Sequence, residues 1–138
     1  MTRPEIVANC PYWTFPRGVI DAGTTLRAGW QFQSNLTRIV MQNDGNLVIY
    51  RLRDGKAIWA TGTWGHPGAY AVMQNDGNFV IYDANNHFLW NTNTAGTPDN
   101  AGAWAVLQDD GNFVIYKSTG GPTRGQALWA TNTTAAAK

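Results

Sequence analysis

The chain has 138 residues, a formal net charge of +1 and only 14% charged residues. No stretch concentrates Lys or Arg, which argues against the clustered basic face of a nucleic-acid partner, and no apolar run reaches the length of a membrane insertion. The length suits one domain, and solubility has to come from Asn, Thr, Gln, Ser and Gly.

Residues 1–23 read as an N-terminal arm, with Pro4, Pro11 and Pro16 keeping residues 1–18 irregular. The start, Met1-Thr2-Arg3-Pro4-Glu5, lacks the apolar core of a signal peptide, so secreted and cytoplasmic placements both stay open. Cys10 is the only cysteine, so no intrachain disulfide forms. The segment from Thr24 to Phe32 supplies one or two strands ahead of the main pattern.

Residues 24–132 carry that pattern. The segment Gln42-Asn43-Asp44-Gly45-Asn46-Leu47-Val48-Ile49-Tyr50 returns with small changes at Gln74 to Tyr82 and again at Gln108 to Tyr116. Self-similarity at a period of about 20–50 residues means one supersecondary unit used repeatedly. Asp-Gly between alternating apolar residues signals a hairpin, so each unit begins with an incoming strand, such as Arg38 to Gln42, then a tight turn and an outgoing strand. Second turns are predicted at 53–56, 83–86 and 118–122. Third strands follow at Ala57 to Thr61, Phe88 to Thr92 and Ala127 to Thr131. The architecture is therefore all-β, and residues 133–138 form a loose tail.

Alternation splits each outgoing strand into two faces. Leu47 and Ile49, Phe79 and Ile81, and Phe113 and Ile115 face the core, joined by Trp59, Trp90 and Trp129. The other face repeats Asn, Val and Tyr, with Gln and Asp just before. Turn chemistry explains Asp-Gly-Asn. It does not explain Gln two residues earlier or Tyr six residues later, three times over. Amides that donate and accept, a carboxylate that accepts and a phenol that does either match a polyhydroxylated ligand. A valine offers the apolar spot such a site also needs.

The pattern Gln-x-Asp-x-Asn-x-Val-x-Tyr, complete in all three repeats, resembles the mannose-binding site of the monocot bulb (snowdrop-lectin-like, B-type) lectins. The Ile/Leu-Trp-Ala/Asn-Thr segments resemble that family too. The resemblance implies a type II β-prism, with three four-stranded sheets around a pseudo-threefold axis. It also implies a mannose-specific lectin acting on high-mannose glycans through several weak sites. By the same resemblance, Gln42, Gln74 and Gln108 contact the sugar 3-hydroxyl. Asp44 with Asn46, Asp76 with Asn78, and Asp110 with Asn112 take the axial 2-hydroxyl. Tyr50, Tyr82 and Tyr116 take the 4-hydroxyl, and Val48, Val80 and Val114 pack on ring carbons. The family also suggests a homodimer formed by exchange of the strand Ala127 to Thr131. Plant members commonly carry a disulfide, so this chain is closer to cysteine-poor relatives outside flowering plants.

Four residues before each Gln stand Arg38, Tyr70 and Trp104, on the Gln side of the strand. They are candidate accessory residues, with Tyr70 and Trp104 offering stacking surface to a second sugar ring. Other chemistries fit poorly. His66, His87 and Cys10 have no zinc spacing, the Asp-rich turns lack a calcium-loop acid at position twelve, and no cofactor is implied. No nucleophile motif appears, and each repeat offers one well-placed carboxylate where glycoside hydrolysis needs two, so an enzyme is not expected. The main alternative is a protein-interaction module on the same scaffold, such as a lectin-like bacteriocin, which predicts degenerate sites. A β-trefoil would carry Gln-x-Trp, which is absent.

Overall fold

The computed structural model describes residues 18–138, so Cys10 and the prolines of the arm lie outside the described residues. Three short strands open the described residues: β1 (Val19–Ile20), β2 (Thr25–Leu26) and β3 (Gln31–Gln33). The first repeat gives β4 (Thr37–Met41), β5 (Leu47–Arg51) and β6 (Ala57–Ala60). The second gives β7 (Tyr70–Met73), β8 (Phe79–Tyr82) and β9 (Phe88–Asn91), and the third β10 (Trp104–Leu107), β11 (Phe113–Gly121) and β12 (Gly125–Ala130). They form three four-stranded antiparallel sheets, the architecture of a type II β-prism, in the orders β3-β4-β5-β6, β2-β7-β8-β9 and β1-β10-β11-β12.

Each sheet thus takes three strands from one repeat and a fourth from the opening stretch, in reverse order. The segment from Thr24 to Phe32 supplies two of these fourth strands. Val19–Ile20, within the stretch read as an arm, supplies the other by pairing with Val106 and Ala105. A two-residue strand is too short for alternation to reveal it.

The inward faces follow the alternation. Leu47, Ile49, Phe79, Ile81, Phe113 and Ile115 are fully buried in one core with Leu26, Phe32, Ile39, Met41, Met73 and Leu107. Trp59, Trp90 and Trp129 meet around the pseudo-threefold axis, with ring centroids 5.7–5.8 Å apart and near-perpendicular planes. That edge-to-face geometry sets each positive ring edge against a neighbour's negative face. The tryptophans are half-buried and pack against the core rather than filling it.

The Asp-Gly turns have three-residue loops. Gln42 N donates to Asn46 O at 2.9 Å and Gly45 N to Gln42 O at 3.0 Å, and the same bonds recur at 74–78 and 108–112. Within each loop only the glycine has positive φ, at 96°, 98° and 90° for Gly45, Gly77 and Gly111. This conformation suits glycine because it has no Cβ. There is also no room for a Cβ. One on Gly45 would lie 2.5 Å from His66 O, and one on Gly77 would lie 2.3 Å from Asn100 O.

In the third repeat the tail takes the place of His66 and Asn100. Residues 133–138, read as loose, include a one-turn helix α1 (Thr134–Ala137), and Ala137 packs over Gly111 and is buried. Arg51 Nη1 and Arg53 Nε hold the carbonyls of Ala136 and Lys138 at 3.0 and 2.8 Å. The predicted turn at 118–122 also differs. β11 runs on to Gly121, which pairs with Gly125, and the chain reverses through 122–124. The serine, threonine and glycines read as turn formers are here carried by cross-strand pairing.

Candidate functional site

Each candidate site lies on the outer face of a sheet, across the two strands joined by the Asp-Gly turn. The register places Arg38 opposite Tyr50 and Val40 opposite Val48. It repeats as Tyr70 opposite Tyr82 and Val72 opposite Val80, then as Trp104 opposite Tyr116 and Val106 opposite Val114. All fifteen motif residues and the three accessory candidates thus fall into three equivalent groups.

Within a group the polar atoms are joined before any ligand arrives. Tyr50 Oη donates to Gln42 Oε1 at 2.6 Å, and Gln42 Nε2 donates to Asp44 Oδ2 at 3.4 Å. Asp44 Oδ1 accepts from the Asn46 backbone N–H at 2.9 Å. In the third group Tyr116 Oη donates to Gln108 Oε1, and Gln108 Nε2 lies 3.2 Å from both Asp110 oxygens. In the second the amide is turned, and Gln74 Nε2 donates to Tyr82 Oη at 2.5 Å. Asp76 and Asp110 accept from Asn78 N and Asn112 N at 2.9 and 3.0 Å. A chain of this kind fixes the direction of every donor and acceptor, which lowers the ordering cost of binding.

The asparagine is the most tightly held member. Asn46 Oδ1 accepts from Thr61 Oγ1, Gly62 N and Thr63 N at 3.2, 2.9 and 3.2 Å. Asn112 Oδ1 does the same with Thr131 Oγ1, Asn132 N and Thr133 N at 3.1, 2.8 and 3.3 Å. Asn78 Oδ1 takes Thr92 Oγ1 and Thr94 N at 3.3 and 3.2 Å. The amide oxygen is therefore used up, and the Nδ2 group points its donors outward without a hydrogen-bond partner among the described residues.

The residues that do this were not among the sequence candidates. Each repeat has a Thr-x-Thr after its tryptophan: Thr61-Gly62-Thr63, Thr92-Asn93-Thr94 and Thr131-Asn132-Thr133. The two hydroxyls lie 2.7–2.8 Å apart, and the second donates to the carbonyl of Gly45, Gly77 or Gly111. The middle residue has positive φ, at 74°, 56° and 58°. Gly and Asn are the residues that adopt this conformation readily. A repeated Thr-[Gly/Asn]-Thr at a fixed distance after Trp is a signal the sequence does carry.

The valines form the floor. Val48, Val80 and Val114 are only 2–3% exposed, so each offers a methyl edge rather than a platform. The accessory candidates stack on the site tyrosines. The Arg38 guanidinium sits 4.6 Å from the Tyr50 ring centroid, while Tyr70 and Trp104 lie 5.7 and 5.5 Å from Tyr82 and Tyr116 at shallow tilts. Tyr70 Oη also donates to Asn86 Oδ1 at 2.5 Å. Burial, with the Asp110 charge adding to it, pushes the Tyr116 phenol up from its ordinary value.

No protein-family model and no curated protein matches the sequence, but solved structures do. A monomeric monocot mannose-binding lectin from Gastrodia elata is 35% identical with a TM-score of 0.71, over 84% of this chain and 97% of that one. The mannose-specific agglutinin of snowdrop (Galanthus nivalis) bulbs, solved with methyl α-D-mannoside, is 37% identical with a TM-score of 0.66, over 84% and 96%. A Japanese Marasmius oreades lectin is 27% identical with a TM-score of 0.74, over 89% and 97%.

Proposed function

We propose that this chain, which belongs to the monocot mannose-binding lectin family, is a mannose-specific lectin that binds mannose-containing glycans through three weak sites. One observation carries the reading most directly. In each repeat the Gln, Asp, Asn and Tyr are already joined or anchored, with outward donors and acceptors left over. The Asn Nδ2 donates to an axial 2-hydroxyl, and the Asp carboxylate accepts from it. The Gln amide and the Tyr hydroxyl meet the 3- and 4-hydroxyls, and the Val edge meets ring carbons. Glucose, lacking the axial 2-hydroxyl, leaves the Asp and Asn poorly paired, and galactose turns its 4-hydroxyl away from the Tyr.

A few hydrogen bonds worth roughly 1 kcal/mol net each give about 4 kcal/mol per site, a Kd on the order of 1 mM. Copy number compensates, because simultaneous engagement of a branched high-mannose glycan raises avidity by about 10² to 10⁴. The site chemistry is binding rather than catalysis, since each group offers one carboxylate beside amides and a phenol. Residues 24–132 are the lectin domain in this reading. Arg38, Tyr70 and Trp104 tune the three sites by what they present beside the tyrosine.

Two copies would join by exchanging β12, which keeps the backbone bonds of the sheet while changing which chain supplies them. Against that, β12 already completes its own sheet here, and the Gastrodia relative is monomeric. A monomer mass in solution scattering, with sugar binding retained, rules the exchange out.

Calorimetry with methyl α-mannoside, against methyl α-galactoside as control, tests the function. Millimolar binding of the mannoside alone is expected, with the stoichiometry counting open sites. No heat with either sugar would make the three motifs scaffold and favour a protein-interaction module.

A further inference from the structure

The three sites share five residues, but the surface beside them differs. On the third sheet β1 sets Val19 opposite Val106. The matching pair is Thr25 and Val72 on the second sheet. On the first it is Gln31 and Val40, with Gln31 accepting from Arg38 Nη1 at 3.2 Å. On this fourth-strand edge only the third site is apolar. Its second hairpin is also the longest: residues 117–126 separate the paired Tyr116 and Ala127, against 51–56 and 83–87 in the other repeats. This hairpin returns over the sheet, so that a Cβ on Gly121 would touch Trp104 Cζ2 at 3.4 Å.

The outcome is a groove of about 400 Å³ with Val19, Trp104, Val106 and Pro122 among its walls. Gln108 and Asp110 line it too, so the groove and the third site share an edge. Its volume falls in the range of ligand pockets, roughly 300–1,000 Å³. One further difference is in the motif itself. Asp109 stands where the other repeats have Asn43 and Asn75. It lines the groove and accepts from Asn35 N at 3.2 Å.

We infer that the third site is an extended one. It takes a neutral oligosaccharide whose first mannose sits on Gln108, Asp110, Asn112 and Tyr116 and whose adjoining pyranose ring lies in the groove. The C–H face of that second ring packs against Trp104, Val106 and Pro122. Trp104 is already stacked on Tyr116, so little side-chain freedom is lost on contact. The hydroxyls of the second ring donate to Asp109, and the paired carboxylates of Asp109 and Asp110 repel a phosphorylated or uronic sugar. The inference rests on the proposed mannose reading and names the site at which ligand length matters most.

The test isolates the third site with Gln42→Ala and Gln74→Ala, then compares methyl α-mannoside with an α-linked mannobiose by calorimetry. Burying on the order of 50 Å² of C–H surface makes the disaccharide roughly tenfold tighter. Val19→Trp fills the groove from its β1 wall and leaves all five site residues unsubstituted, and should bring the disaccharide back to the affinity of the monosaccharide, with methyl α-mannoside binding as the control that the site itself is intact. In the unsubstituted chain, the Trp104 indole N–H resonance should move with mannobiose well beyond its response to methyl α-mannoside. Equal affinity for the two sugars together with equal responses at Trp104 overturns the extended site and leaves the mannose reading standing. Absence of binding by either sugar overturns both.

Discussion

The first and third sites carry the same five residues on the same pair of strands, yet their surroundings are opposite in kind. Beside Tyr50 stands Arg38, tied to Gln31. Beside Tyr116 stands Trp104, with Val19 and Pro122 walling the groove next to it. The second site is intermediate, with Tyr70 and Thr25 in those places. The part proposed to read a monosaccharide is a local motif and can be copied whole. In the proposed reading, the part that reads a longer ligand comes from the fourth strand, which the repeat does not carry, and from Trp104 and the second hairpin, which differ from one repeat to the next. Duplication therefore preserves what is recognised and leaves free how far recognition extends.

The largest effects should come from the turns. Gly45→Ala forces a side chain into positive φ and against the His66 carbonyl, and should cost about 2–4 kcal/mol of unfolding free energy. Gly111→Ala meets the Ala137 methyl of a one-turn terminal helix, which can move aside, so about 1–2 kcal/mol is expected. Denaturant titration of both variants checks this. Equal costs would mean the tail is fixed as firmly as the chain around His66.

Next come the asparagines. Asn46→Ala and Asn112→Ala each leave two backbone N–H groups without their acceptor. About 1–3 kcal/mol of stability should go, and calorimetry should lose one mannoside site in each case. A variant that keeps its site count would show that the Asn serves only the turn.

Smaller effects should separate the accessory residues. Trp104→Ala should weaken binding of an oligomannoside about threefold to tenfold with little change for the monosaccharide, and Arg38→Ala should stay within about twofold. Unchanged oligomannoside affinity in Trp104→Ala would remove its accessory role.

The smallest is a pH effect at the third site. The folded pKa of Tyr116 is raised, first by burial and then by the Asp110 charge. The folded state thus holds this proton more tightly than the unfolded chain. The associated stability is fully present below the ordinary tyrosine pKa of about 10 and is lost as pH rises from there through the higher folded value. Absorbance titration of Tyr116→Phe against the parent chain should show the missing phenol to be a late-titrating one.

Much of this was legible in the residues. The inward apolar alternation, the Asp-Gly turns and the threefold Gln-x-Asp-x-Asn-x-Val-x-Tyr are local patterns, and a strand's two-residue period converts them directly into faces. Thr-x-Thr was equally present, but the meaning of its first threonine depends on an asparagine fourteen to nineteen residues away. Val19–Ile20 and the tail look peripheral in the sequence because two residues of strand or one turn of helix carry no periodic signal. Their partners, Val106 and Gly111, are supplied only when the chain closes on itself.

The sequence by itself determined the repeat, the all-β class and the chemistry of the outer face, because hydrogen-bonding capacity and alternation belong to residues in order along one strand. Only the tertiary structure decided which opening strand joins which sheet, how the tail covers the third turn, and why a groove opens beside Trp104. Those features join segments far apart in the chain, and their geometry follows from packing around a shared axis rather than from any local preference.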